Sequence, residues 1–333
     1  MEWWVGVVIG IVMLIVVVVA EARRRRFTHI PSLQGKHVLI TGGSSGIGLC
    51  IAQRCAAEGA YVTLVARTFS KLEAARRHLT SALNLPSDAI RLQSVDVGNA
   101  EAVAGAVREV FDWRPIDVMV CSAGVAEPDF LDEVKASHLE AIVRTNILGV
   151  VFPVQSIIPL MKTRSADHPC SIVIVGSLSA CVFLYGSNIY SPTKCALKGL
   201  AELLKFELLP FKIGVTLSCP GFTRTPMLAE AFGDATGFIE LGKKIYLYDA
   251  TESPNDVAQL TIEGFKRNEF FVSTSYLGTL VRTLGRGFIP PDSFLTLLVE
   301  ILLIVPLRIL TFIWGIHTKH LLLTHEVPTK KKA

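Results

Sequence analysis

His37-Val38-Leu39-Ile40-Thr41-Gly42-Gly43-Ser44-Ser45-Gly46-Ile47-Gly48 reads as a short apolar strand that runs into a glycine-rich turn. Residues 49–58 then take up helical periodicity, and Gly59 suits the helix C-terminus. Glycine at 42, 46 and 48 lets the backbone turn tightly and come close to a pyrophosphate. Ser44, Ser45 and Ile47 complete the turn, and the free amides of the helix N-terminus suit an anion. A second apolar strand comes next at 61–66. Strand, glycine turn, helix and strand in this order make a dinucleotide-binding unit.

The alternation continues outward from this unit. Apolar strands are expected at 90–95, 118–121, 171–175 and 215–218, with helices at 71–83, 101–110 and 138–161. Strands this apolar, alternating with helices, imply a parallel sheet covered on both faces. The expected fold class is α/β, a Rossmann-type doubly wound parallel sheet.

The second strand ends Val65-Ala66-Arg67. An NAD site would place a carboxylate there, whereas Arg67 offers a planar cation suited to a 2′-phosphate. Ser44 or Ser45 adds a hydroxyl, and the pattern predicts NADPH. Asp96-Val97 comes after the third strand, where Asp96 either accepts from the adenine amino group or caps a helix. Ser122-Ala123-Gly124 supplies small residues where a cofactor lies against backbone.

Tyr190 and Lys194 stand four residues apart in Tyr190-Ser191-Pro192-Thr193-Lys194. On a helix they share a face, so an ammonium beside the phenol is expected to lower its pKa and make a general acid/base. Pro192 is tolerable if the helix begins close by. Ser177 stands just after the fifth strand, with Ser179 as the local alternative. Asn146 falls within the long helix at 138–161, where a buried amide needs specific bonds.

Half of the 333 residues are hydrophobic and 19% are charged, with a mean hydropathy of +0.46. Part of the chain is therefore expected in lipid. Residues 3–20 form an apolar run without a charge, about 27 Å as a helix and close to a bilayer core. Trp3 and Trp4 suit one interface. The arginines at 23–26 anchor the other and place the chain beyond them in the cytosol. Seven of the 33 basic residues stand at 23–26 and 330–332, leaving 26 against 29 acidic ones. The body is mildly acidic, which argues against a nucleic-acid partner. The seven cysteines are odd in number and form no Cys-x-x-Cys pair, so neither a disulfide framework nor a metal site is expected.

Residues 294–316 form a second apolar stretch, broken by Glu300, Pro306 and Arg308. Two short helical arms bent at Pro306 are expected, either dipping into the membrane or re-entrant. An amphipathic helix packed on the domain is the alternative. Lys330 and Lys331 resemble a dilysine endoplasmic-reticulum retrieval signal; a solvated basic tail is the other reading.

The set TGGSSGIG, Asn146, Ser177, YSPTK and Pro220-Gly221 resembles the short-chain dehydrogenase/reductase family from about residue 35 to 227. The resemblance implies that Tyr190 protonates a substrate carbonyl. Lys194 would assist it and bind the nicotinamide ribose, and Ser177 would hold the carbonyl oxygen. Asn146 would hold a water, and residues 220–225, among them Pro220, Gly221 and Thr223, would contact the nicotinamide end. Cys121-Ser122 departs from the two asparagines usual there. Residues 221–250 are expected to cover the substrate, with Phe222, Met227, Leu228, Phe232, Phe238 and Ile239 suited to an alkyl chain.

Within that family the chain most resembles the 3-ketodihydrosphingosine reductases of the endoplasmic reticulum. The departure is Pro220-Gly221-Phe222-Thr223-Arg224-Thr225, where many of them carry a Pro-Pro-Asp form. The resemblance implies a long-chain lipid ketone as substrate and a homo-oligomer as assembly. A ketoacyl-CoA, ketosteroid or retinal is the alternative substrate. The expected organisation is a membrane anchor with basic flank at 1–26, an NADPH-binding catalytic domain at 35–275, and a hydrophobic membrane-associated region with a basic tail at 276–333.

Overall fold

Val38 and Ile40 of strand β1 (His37–Thr41) join one buried cluster, and Leu39 between them joins another. The same division recurs in β4 (Val118–Cys121), where Val118 and Val120 part from Met119 and Cys121. In β5 (Cys170–Val175), Val173 and Val175 part from Ile172 and Ile174. Consecutive strand residues point to opposite faces, so this sheet is buried on both, as its near-continuous apolar strands require.

The structure, a computed structural model, describes residues 30–86, 88–127, 130–182, 186–232, 251–274, 276–285 and 294–324. Among them seven parallel strands run in the order β3-β2-β1-β4-β5-β6-β7. The remaining strands are β2 (Tyr61–Ala66), β3 (Ile90–Ser94), β6 (Ile213–Ser218) and β7 (Phe271–Val272). On one face lie α3 (Ala100–Trp113), α5 (Gly149–Lys162) and α6 (Tyr190–Glu207). On the other lie α1 (Gly46–Ala57), α2 (Phe69–Leu83) and α8 (Pro254–Lys266). Helix α3 shows why such segments turn this way. Val103, Val107 and Val110 repeat at i, i+4 and i+7 and are its buried residues, and the Asn99 side chain accepts from the Ala102 amide to cap it.

The expected strands and helices are present, and those at 61–66 and 118–121 match at both ends. Helix α8 and strand β7 have no counterpart in the sequence reading. Pro254 starts α8 and the Ser253 side chain caps it. The expected helix at 138–161 runs from α4 (Ala136–Val143) through a π-helical turn, Arg144–Leu148, into α5. Strand β1 lies between β2 and β4, so the chain leaves it in opposite directions on its two sides. Ligands bind in such sheets in the crevice at the carboxyl ends of those strands.

Past β7, helix α9 (Tyr276–Gly285) packs against α10 (Phe294–Thr324). One unbroken helix runs through Pro306 in place of the two arms expected. A proline inside a helix loses one hydrogen bond and crowds one carbonyl, at about 3 kcal/mol, and the long helix on either side outweighs that. Among the described residues, two helices are long and apolar enough to cross a membrane, Ala136–Lys162 and Leu297–Thr324. The first packs one face on the sheet and its apolar window is 39% buried, while that of the second is only 6% buried. The expected anchor at 3–20, its arginines at 23–26 and the lysines at 330–332 lie outside the described residues.

Candidate active site

Helix α6 begins at Tyr190 itself. Pro192 therefore falls in its first turn, where the missing N–H breaks no intrahelical bond. Lys194 is buried, and its Nζ donates to the Val175 carbonyl at 3.1 Å, at the end of β5. Desolvation pushes the Tyr190 phenol up to about 12, opposed by a hydrogen bond with the Ser177 side chain. Desolvation brings the Lys194 ammonium down to about 8. Where the sequence leads one to expect a lowered phenol pKa, loss of water around the buried ring raises it, and the Ser177 hydrogen bond offsets only part of that rise.

Ser177, not Ser179, reaches Tyr190. The Ser177 hydroxyl also accepts from the Ser179 amide at 3.2 Å, capping the short turn Leu178–Ala180. Asn146 lies fully buried in the π-helical turn. Its Oδ1 accepts from the Val125 amide at 2.8 Å, and its Nδ2 donates to the Val125 carbonyl at 2.9 Å and to Thr193 Oγ1 at 3.1 Å. The Thr193 hydroxyl in turn donates to the Tyr190 carbonyl at 2.7 Å. The amide thus clamps the segment after β4 to the first turn of α6.

A cavity of about 700 Å³ opens along the carboxyl ends of the strands. The glycine turn, Arg67, Asp96, Val97, Ala123, Ser177, Tyr190, Lys194, Pro220, Gly221 and Thr223 line it, while Asn146 stands behind its wall. At one end are Gly42, Ser44, Ser45, Gly46, Ile47 and Gly48. A Cβ on Gly42, whose φ is +68°, would fall 2.7 Å from the Ala123 nitrogen, and one on Gly48 would fall 2.4 Å from the Gly42 carbonyl oxygen. Only glycine fits this cradle. The first turn of α1 carries no acidic residue and its Ser45 cap makes no side-chain bond, so its amides suit an anion.

Arg67, Thr68 and Lys71 line the next stretch, all exposed. Lys71, on α2 four residues beyond Arg67, joins the wall as a second cation that the sequence reading does not single out. Asp96 and Val97 come next. Asp96 Oδ1 accepts from the Gly98 amide at 2.9 Å, while Asn99 caps α3, so the helix-cap role belongs to Asn99. These residues fit a nicotinamide dinucleotide: an anion cradle, two exposed cations and a carboxylate in sequence along one cavity.

Beyond Ser177 and Tyr190 the cavity is walled by Phe222, Met227, Leu228, Leu178 and Val182. Helix α7 (Pro226–Phe232) carries part of this apolar wall. Phe238 and Ile239 and the side chain of Phe232 lie outside the described residues. Cys219, unmarked in the sequence reading, lies beneath the site as a buried neutral thiol whose pKa burial pushes well up.

The short chain dehydrogenase family matches residues 36–236. A 3-dehydrosphinganine reductase of Danio rerio is 34% identical over 265 residues, 78% of this chain and 77% of that protein. One of Arabidopsis thaliana is 32% identical over 309 residues, 92% and 90% of the two chains. Among solved structures, L-sorbose reductase from Gluconobacter frateurii, complexed with NADPH and L-sorbose, is 26% identical with a TM-score of 0.63, over 74% of this chain and 98% of that one.

Proposed function

The chain belongs to the short chain dehydrogenase family, and from that premise we propose that it uses NADPH to reduce 3-ketodihydrosphingosine to dihydrosphingosine at the endoplasmic-reticulum membrane. It is an oxidoreductase. The observation that carries the substrate is the likeness to 3-dehydrosphinganine reductases over most of both chains. The cavity agrees with it, since the apolar wall beyond Tyr190 suits an alkyl chain.

The chemistry rests on the residues in place. The glycine cradle would hold the cofactor, which would supply a hydride for the carbonyl carbon. Arg67 and Lys71 would hold its 2′-phosphate, which favours NADPH over NADH. Ser177 would donate to the carbonyl oxygen and polarise it. A phenol at about 12 is protonated at neutral pH, so Tyr190 would give its proton to the oxygen as negative charge develops there. Lys194, at about 8, is largely cationic at neutral pH and would stabilise the phenolate left behind. Asn146 and Thr193 would fix the first turn of α6 during that transfer.

In this reading residues 35–275 form the catalytic unit, with membrane-associated segments at 1–26 and 276–333 and the catalytic unit in the cytosol. Microsomes containing the protein, given NADPH and a panel of ketones, test the substrate by product analysis. Dihydrosphingosine is the expected product. Failure with 3-ketodihydrosphingosine alongside turnover of a ketosteroid, retinal or ketoacyl-CoA would transfer the assignment to that ketone.

A further inference from the structure

The peptide unit joining Pro220 to Gly221 is held at both polar ends. Its carbonyl accepts from the Leu178 amide at 2.9 Å. Its N–H donates to Glu252 Oε2 at 3.1 Å. Leu178 is the residue directly after Ser177, so this peptide is tied to the turn that carries the candidate hydroxyl. Glu252 holds the next residues too. Its amide donates to the Phe222 carbonyl at 2.7 Å, and its carbonyl accepts from the Arg224 amide at 3.0 Å. The Thr274 hydroxyl, just past β7, donates to the same carboxylate oxygen as Gly221.

The other oxygen, Oε1, is buried without a hydrogen-bond partner. Such an arrangement is costly for a carboxylate, and nothing in the sheet or the core calls for one here. What Glu252 touches is the wall of the cavity, since Pro220, Gly221, Phe222 and Thr223 all line it beside Ser177 and Tyr190. A flexible segment would leave that wall undefined.

The geometry points to Glu252 as the positioning residue that fixes the Pro220–Gly221 peptide against Ser177 and so shapes the end of the cavity where the reacting groups meet. That the shaped end receives the dinucleotide rests on the reading proposed above. Glu252 touches neither reactant, and its effect passes through the Gly221 amide.

The test uses the full-length protein in detergent with Glu252→Ala, Glu252→Gln and Thr274→Val. Hydrogen exchange of the peptide containing Gly221 reports the wall directly, and equilibrium dialysis reports NADPH affinity. Glu252→Ala is expected to speed exchange there about tenfold or more and to weaken NADPH by about tenfold, as loss of a hydrogen bond to a charged acceptor implies. Glu252→Gln keeps an acceptor oxygen and is expected to restore both to within about threefold of wild type. Thr274→Val is expected to fall between them. Wild-type exchange and wild-type NADPH affinity in Glu252→Ala would overturn the inference. So would faster exchange throughout the molecule in both Glu252 variants, which would mark a general stability role. If Glu252→Ala fails to fold, Glu252→Gln and Thr274→Val decide by the same two readouts: a rescued glutamine with an intermediate valine supports it, and a valine identical to wild type overturns it. Neither readout involves the ketone, so an error in the substrate leaves the test intact. Wild-type protein that binds no NADPH would instead sink the cofactor reading while the exchange result stands.

Discussion

The ammonium of Lys194 stands 5.4 Å from the centre of the Tyr190 ring. One helical turn brings the two together, and burial then shifts both toward their neutral forms. In the proposed function Tyr190 is the residue whose loss would separate chemistry from binding. Tyr190→Phe removes one oxygen at the surface of the cavity and leaves the glycine cradle and cations untouched. Turnover is expected to fall by about 10²-fold or more, the range for a general acid, with NADPH affinity kept. Single-turnover kinetics beside equilibrium binding checks this. Full turnover with bound NADPH would remove Tyr190 from the proposed role.

In the proposed function Arg67 is the residue that selects the dinucleotide. It stands at the end of β2 among residues lining the cavity, with Lys71 as the second cation. Arg67→Asp replaces the cation with an acceptor suited to a ribose hydroxyl and repulsive to a 2′-phosphate. The ratio of kcat/KM for NADPH over NADH is expected to fall by about tenfold or more. An unchanged ratio would show that Arg67 lies outside the phosphate site.

How far the site was legible depends on how local each contact is. Tyr190 and Lys194 meet within one turn, and the glycine cradle forms within one strand-to-helix junction, so spacing alone discloses them. The Asn146 clamp cannot be read from spacing. It joins Val125 and Thr193, residues 21 and 47 positions away. Glu252 meets Gly221 across 31 positions, and α8 packs on α1 about two hundred residues upstream. The phenol's upward shift was hidden for the same reason. Proximity to Lys194 is a local fact, whereas desolvation depends on what the whole fold places around the ring.

His37 provides a test of the fold's pH response. It is fully buried at the start of β1. Its Nδ1 lies 2.8 Å from the Arg114 carbonyl and its Nε2 2.9 Å from Thr63 Oγ1. Burial lowers its pKa from 6.5 to about 4. Between those values the unfolded chain binds the proton and the folded one does not, so stability falls as pH drops from 6.5 toward 4. The loss attributable to this group is about 3 kcal/mol. His37→Gln is expected to be less stable at pH 7 but to lose less on acidification. Urea unfolding in detergent at about pH 4.5, 5.5 and 7 measures the difference, and parallel pH curves for the two proteins would contradict it.

The orientation of α10 can be read residue by residue. Leu302, Phe312 and Leu323 are each more than 70% exposed, whereas Leu307 and Thr318 are buried. Residues 307 and 318 are eleven apart, about three full turns, so they share the face turned to protein. This helix of 31 residues is about 46 Å long, more than the thickness of a bilayer core. Its exposed apolar side chains gain about 1.5–3 kcal/mol each when removed from water, and a lipid surface is the environment the proposed function supplies. A photoactivatable probe in the acyl region of microsomal lipid is expected to label Leu302, Phe312 and Leu323 and to spare Leu307 and Thr318. This reading is independent of residues 3–20, because it depends on which face of α10 is labelled and not on whether the protein stays with the membrane. Labelling confined to the other face would turn the helix over. Absence of labelling along its whole length would return α10 to water, and its apolar surface would then have to be covered by protein.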